Sequence, residues 1–439
     1  MLFSDSQLSL LASQLGTDGS RLRSASVSTD IEPIQLVRAG SALSSRSSYF
    51  RTPNGEEFAT LGTAIHLRSS GVDRFGAMQS QLSDIPELAD GARIALGFSF
   101  SPHGPSQPEW EGFGAVDAVL PAVGIERTGS QTRLVVVVPP GADVAPTLGL
   151  LAGLEAVDDP PPPDPGVHTV ESIPPSGDWQ SEVAEGVGAI EQGSFAKVVL
   201  ARSVLVRSER LTGPFDLVHH LRVANPSSYV YAHVVGESAF VGASPELLLA
   251  QEGREICLNP LAGSARRGKG DDDVAVGREL LNSGKDRAEH SIVVDDLVSR
   301  LAGLTSRIDY PDGPSLRRMA TVQHLSTEIE ATLLDGVATL DILRAIHPTP
   351  AVGGMPRAEA LRFIDKVEGI DRGWYSGGVG WLDPRGGAQV ALALRCALMT
   401  GTTSRLYAGN GIVAESDPAA ELIETRLKFQ PMLDLLAVT

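Results

Sequence analysis

Residues 196–206 read AKVVLARSVLV, a run of helix-length apolarity whose β-branched side chains predict a buried strand. Comparable runs predict strands over residues 229–235, 239–242, 246–249, 378–382, 389–399 and 405–408, and earlier over 93–100 and 132–138. Most are joined by short glycine-containing links, which favours antiparallel neighbours. Helical spacing predicts helices over 179–192, 273–301 and 418–436, packed outside the strands. The first 50 residues are serine-rich and weakly patterned, and no internal repeat is present. The DDPPPPDP run at 158–165 must be extended and reads as a surface connector. The expected organisation is therefore an N-terminal part (1–157), a proline-rich connector (158–178) and a more regular region (179–439).

Composition narrows the function. A chain of 439 residues with 42% hydrophobic positions can build one large core or two to three smaller ones. Its 36 basic and 54 acidic residues leave −18, a field that repels phosphate backbones and anionic membranes, so nucleic acid is not an expected partner. No run of eighteen apolar residues predicts a membrane span, and the start lacks the basic lead of a signal peptide. Cys257 and Cys396 have no zinc-holding spacing and read as core thiols of a cytoplasmic protein. Among the basic residues only five are lysines, at 197, 269, 285, 366 and 428. Arginine stays charged whereas a desolvated lysine can lose its proton, so each lysine is a candidate for proton transfer.

Several residues stand where their neighbours would not place them. Glu289 falls on the apolar stripe of its predicted helix with Ile292, Val293, Leu297 and Leu301, so it is either a paired structural carboxylate or an ion ligand. Asp417-Pro418 opens the last helix, and Glu421, Glu424 and Lys428 follow on one face. Two carboxylates there could hold a hard divalent ion, or simply form a solvated first turn favoured by the helix dipole. Lys197 begins the apolar 196–206 strand, either desolvated or snorkelling to water. Glu246 follows Gly-Ala-Ser-Pro, a turn able to aim a carboxyl into a cleft. A base and an acid from different strands are what proton-in, proton-out chemistry requires. The Gly/Arg-rich stretch 260–268 reads as a loop, and there is no Walker A motif or nucleophile elbow.

Taken in order, KVVLAR, GASPELLL, PLAGSARRG, KDRAEH, HPTPAVGGMPR, RGWYSGGVGW, ALRCA, YAGNGIV and AELIETRLK resemble the chorismate-utilising enzymes, which include isochorismate, anthranilate, aminodeoxychorismate and salicylate synthases. The likeness is dense from residue 197 to 436 and faint before 179. It implies an α/β fold of two large, mainly antiparallel sheets packed together with helices outside. It implies Mg²⁺ held by Glu289, Glu421 and Glu424, Lys197 as the base acting on water, and Glu246 as the acid that protonates the departing C4 hydroxyl. Substrate carboxylates would lie near Gly263, Ser264, Tyr375, Arg395, Gly409, Gly411 and Lys428, with His347 lining the ring pocket. Anthranilate synthases usually carry Gln at the position of Lys197, which leaves an anthranilate synthase component as the lesser alternative, and aminodeoxychorismate synthases a lysine at that of Ala262, which this chain lacks; no glutaminase subunit is expected. The Gly-Ser-Ala-Arg-Arg form is similar to the isochorismate synthases of siderophore pathways. The implied activity is interconversion of chorismate and isochorismate by a monomeric, cytoplasmic enzyme supplying siderophore or menaquinone synthesis. Tyr375 keeps the salicylate branch, which adds pyruvate elimination, as the alternative.

Overall fold

The computed structural model describes residues 1–16, 19–164, 166–319 and 321–436. Among these, the strands form a twelve-stranded, a nine-stranded and a three-stranded sheet, and every pairing is antiparallel. The twelve-stranded sheet runs Arg23–Ser28, Gln131–Val138, Val123–Thr128, Glu57–Leu61, Arg46–Arg51, Tyr229–Val235, Ser238–Ser244, Cys396–Thr400, Thr403–Ile412, Lys197–Ser208 and Gly354–Met355, with His168–Ile173 also pairing Lys197–Ser208. The nine-stranded sheet runs Thr305–Asp309, Ile329–Leu333, Glu255–Asn259, Leu247–Glu252, Gly387–Leu392, Gly378–Asp383, Ile94–Phe98, Val116–Leu120 and Ile65–Ser69. The N-terminal part therefore completes both sheets. Its serines hid this: in Arg23–Ser28 they alternate with the buried Ala25 and Val27, and in Arg46–Arg51 a serine, Ser47, is itself buried, so the apolar period is masked.

Where the large sheets face each other the core is aromatic. Phe50, Tyr231 and Phe240 of one sheet share a buried cluster with Val379 and Trp381 of the other, together with Trp110, Trp374 and Tyr375. Helices cover the outer faces, and none of those described is long and apolar enough to cross a membrane.

Four expectations change. The connector is shorter than 158–178, because His168–Ile173 forms a strand and Ser176–Glu191 a helix. The helix expected over 273–301 is two, Asp271–Asn282 and Gly284–Leu301, divided where the Ser283 hydroxyl accepts from the Asp286 amide at 3.2 Å and caps the second. The strand expected over 389–399 is also two, because Arg395 takes a left-handed backbone (φ 51°) and the chain passes from one large sheet to the other. The 260–268 stretch is mostly strand: Leu261–Arg266 belongs to the small sheet with Val322–Ser326 and Ser315–Arg318, with a register shift between Ala262 and Ser264 around Gly263 (φ 73°).

Candidate active site

The chain crosses between the large sheets at two adjacent places. Strand Ser238–Ser244 leads through Pro245 and Glu246 into Leu247–Glu252, and Gly387–Leu392 leads through Arg395 into Cys396–Thr400. Backbone bonds lock the crossings together: the Ala243 amide donates to Arg395 O (3.1 Å) and the Leu392 amide to Glu246 O (3.1 Å). Glu246 and Arg395 thus face one cavity of about 900 Å³, its open mouth included. Twelve of the thirteen residues singled out from the sequence line it: Lys197, Glu246, Gly263, Ser264, Glu289, Tyr375, Arg395, Gly409, Gly411, Glu421, Glu424 and Lys428.

His347 is the exception and corrects the expectation for the ring pocket. It is buried behind the wall, edge-on to Phe75, Phe98 and Phe100, with Nε2 donating to Ser376 O at 3.0 Å and Arg74 3.4 Å from Nδ1. Burial first and the Arg74 charge second push its pKa well below the usual histidine range, so it is neutral. The histidine on the cavity is His324, in the small sheet, whose Nδ1 lies 2.9 Å from Ser264 Oγ. Lys285, one of the five lysines singled out in the sequence, also lines the cavity, and so does Asp286, which was not anticipated. Asp286 was legible in principle, since it stands three residues before Glu289 on the same helix face.

Lys197 is 1% exposed, and its Nζ lies 2.9 Å from Glu289 Oε1. Lys428 pairs with Glu424 at 2.8 Å and donates to Gly409 O (3.0 Å) and Asn410 Oδ1 (2.8 Å). The floor beneath them must be glycine. A Cβ on Gly411 would come 2.5 Å from Glu289 Oε1 and 2.7 Å from Lys197 Cε, and one on Gly409 would come 2.9 Å from the Tyr375 hydroxyl.

The charges are graded. Burial raises the Glu246 carboxyl to about 8, and a backbone bond from Leu261 with the charges of Lys197, Arg395 and Lys428 offsets only part of this. Glu246 is therefore a protonated acid near neutral pH. Burial would raise Glu289 too, but the charge and hydrogen bond of Lys197, with Lys428 and Lys285 beyond it, bring it below the ordinary carboxylate value. Burial lowers Arg395 to about 10, which leaves it cationic. Among the described residues no carboxylate lies within ion-pair distance of Arg395, so the cavity offers one guanidinium open to an anion.

Asp286 and Glu421 come from the first turns, and Glu289 and Glu424 from the second turns, of two helices, Gly284–Leu301 and Pro418–Leu436. Burial, then the neighbouring Glu424, raises Glu421, although Ser416 and Asn410 hydrogen-bond it; burial also raises Asp286, with Glu289 and Glu424 adding to the shift. Crowded oxygen donors of this kind suit a hard divalent cation. Among the described residues no three such side chains converge as a metal cage, and lysines engage Glu289 and Glu424.

Comparison with known proteins agrees with this geometry. The family described as "Chorismate binding enzyme" matches residues 11–437. The salicylate biosynthesis isochorismate synthase of Pseudomonas aeruginosa is 35% identical over 421 residues, covering 93% of this chain and 88% of that protein. Isochorismate synthase MenF of Bacillus subtilis is 35% identical over 357 residues, covering 79% and 75%. The solved menaquinone-specific isochorismate synthase MenF of Escherichia coli superposes with a TM-score of 0.86 at 25% identity over 98% of this chain and 99% of that one. The likeness reaches through the N-terminal part that its motifs left faint, and the chain belongs to the chorismate-binding enzyme family.

Proposed function

We propose that the protein is an isochorismate synthase that interconverts chorismate and isochorismate. The observation that carries this reading is the pairing, in one cavity, of a buried lysine with a carboxylic acid that burial keeps protonated to about pH 8. Lys197 takes a proton from water as that water attacks C2. Glu246 gives its proton to the C4 hydroxyl as it leaves, and the ring diene moves between the two carbons. One water is consumed and one released, so the net change is an isomerisation, reversible between two hydroxylated cyclohexadienes of similar energy.

Arg395 forks onto one substrate carboxylate, while Lys428, held by Gly409 and Asn410, adds positive charge at the same wall. Glu289, Glu421 and Glu424 would hold Mg²⁺, whose charge would neutralise and orient the ring carboxylate. Apart from Glu246 and the base Lys197, the wall carries four carboxylates (Asp286, Glu289, Glu421, Glu424) and three cations (Lys285, Arg395, Lys428). A dication would offset the charge that a dianionic substrate brings. We take the enzyme to work in the cytoplasm as a monomer without a glutaminase subunit.

A salicylate synthase is the second reading, favoured by the Tyr375 hydroxyl beside Gly409 in the cavity. Purified protein incubated with chorismate and Mg²⁺, with and without chelator, decides by product separation and a pyruvate assay. Isochorismate in equilibrium with chorismate, no pyruvate, and loss of turnover with chelator are expected. Salicylate with equal pyruvate would establish the second reading, and no turnover of chorismate would overturn both.

A further inference from the structure

The strand that carries Lys197 is paired along one edge by Thr403–Ile412, but its other edge is interrupted. Gly354–Met355 pairs it only at Lys197 and Val198, and His168–Ile173 pairs it only from Ser203 onward. Two side chains fill the gap. The Ala201 amide donates to Glu368 Oε2 at 2.9 Å, and Arg372 Nη2 donates to Val199 O at 2.8 Å. Glu368 and Arg372 are joined to each other by a bidentate pair at 2.6 and 2.7 Å, and both side chains are almost wholly buried. An ion pair thus replaces the missing stretch of neighbouring strand, offering one acceptor and one donor where a backbone would have supplied them.

Arg372 reaches two further walls of the cavity, one through its guanidinium and one through its backbone. Arg372 Nη1 donates to Val352 O at 2.8 Å, and the Arg372 carbonyl accepts from the Tyr375 amide at 2.9 Å. Val199, Val352 and Tyr375 all line the cavity, whereas Glu368 and Arg372 do not. Val199 stands two residues from Lys197 on the same strand face, so a shift at its carbonyl is carried to the lysine.

Resting on the reading of Lys197 as the base, we propose that Glu368 and Arg372 are positioning residues that set the base strand against the Val352 and Tyr375 walls, and so act on the chemical step rather than on substrate affinity. The carboxylate-binding Arg395 and Lys428 stand on other elements, a sheet crossing and the last helix, so substrate binding is held independently of the clamp.

The test uses two variants of the full chain. Arg372→Lys keeps the charge but cannot make the four-point contact. It is expected to lower kcat about 10- to 100-fold, as misplacement of a reacting group does, with KM for chorismate little changed. Arg372→Ala is expected to lose more and to recover kcat when guanidinium chloride is added at low, non-denaturing concentration. A surface cavity lined by Phe100, Glu368 and Arg372 gives that ion a route to the vacated place. Hydrogen exchange of the Ala201 amide, which needs no turnover, should accelerate in both variants. Wild-type kcat in Arg372→Lys, a loss confined to KM, or unchanged exchange at Ala201 would overturn the proposal. Faster exchange in the variants, with a wild-type protein that does not turn over chorismate, would uphold the clamp while removing the function assigned to the strand it holds.

Discussion

Replacing Glu246 by Gln separates the chemistry of the acid from what its burial costs the fold. The carboxyl titrates at about 8 in the folded chain, against an ordinary value of 4.5. Because the folded value is the higher, the native state holds the proton more tightly. Its contribution is undiminished below the ordinary value, falls as pH rises from there to about 8, and stays constant beyond. At about 1.36 kcal/mol per pH unit the full loss is about 5 kcal/mol. Glutamine fills nearly the same volume and carries no charge at any pH. Glu246→Gln should therefore match the wild type in thermal stability near about pH 5 and exceed it by several degrees at about pH 9. The same substitution removes the proton donor, so turnover should fall about 10²- to 10⁴-fold. In the wild type, kcat/KM should decline as pH rises through about 8. Thermal melts at the two pH values and a pH–rate profile of chorismate conversion check this. A stability difference independent of pH, or wild-type turnover in the variant, would refute the reasoning.

Three further substitutions probe the surroundings. Gly411→Ala would drive a methyl to 2.5 Å from Glu289 Oε1 and 2.7 Å from Lys197 Cε, so kcat should fall about 10- to 100-fold, whereas Gly188→Ala, with nothing within 4 Å, should leave the steady-state rate unchanged. Burial, then the charges of Glu368, Asp178 and Glu185, raise Glu182 to about 7, and this carboxyl lowers stability as pH climbs from 4.5 toward that value. Glu182→Gln should melt higher than wild type at about pH 8 but not at about pH 5, with activity retained; equal melting shifts at both pH values would count against it.

The residues that read clearly from sequence are those whose type conflicts with their local pattern. Lys197 in a β-branched strand and Glu289 on an apolar helix stripe announce a polar site within a core, and both line the cavity. What local pattern could not show is where the chain changes sheet. Residues 389–399 are apolar enough to pass for one strand, and only the left-handed backbone at Arg395, which no propensity scale assigns to arginine, reveals two. His347 was placed on the ring pocket by resemblance alone; it lies behind the wall, packed edge-on to Phe75, Phe98 and Phe100 and against Arg74, 273 residues distant in sequence. His324, which does face the cavity, lies within the buried strand Val322–Ser326, and its exposure to the cavity follows from the small sheet alone.

The lysine economy noted in the sequence acquires a physical reason at this site. Three of the chain's five lysines, Lys197, Lys285 and Lys428, line one cavity, in a protein that uses arginine almost everywhere else. In the proposed role of base, a guanidinium could not replace Lys197: it cannot give up its proton, and its planar fork would not fit above Gly411, where even a methyl collides with the lysine stem. Lys428 occupies a similarly narrow place, reaching a backbone carbonyl, an amide oxygen and a carboxylate from one compact nitrogen. Arg395, by contrast, stands at a sheet crossing where, among the described residues, no carboxylate lies within ion-pair distance, and there a flat bidentate group is open to an anion. The choice between the two cations thus follows the space each wall allows. It also explains how a chain of net charge −18 can admit a dianion: its surface charge acts through screened solvent, while the local cations act within a buried cavity where screening is weak.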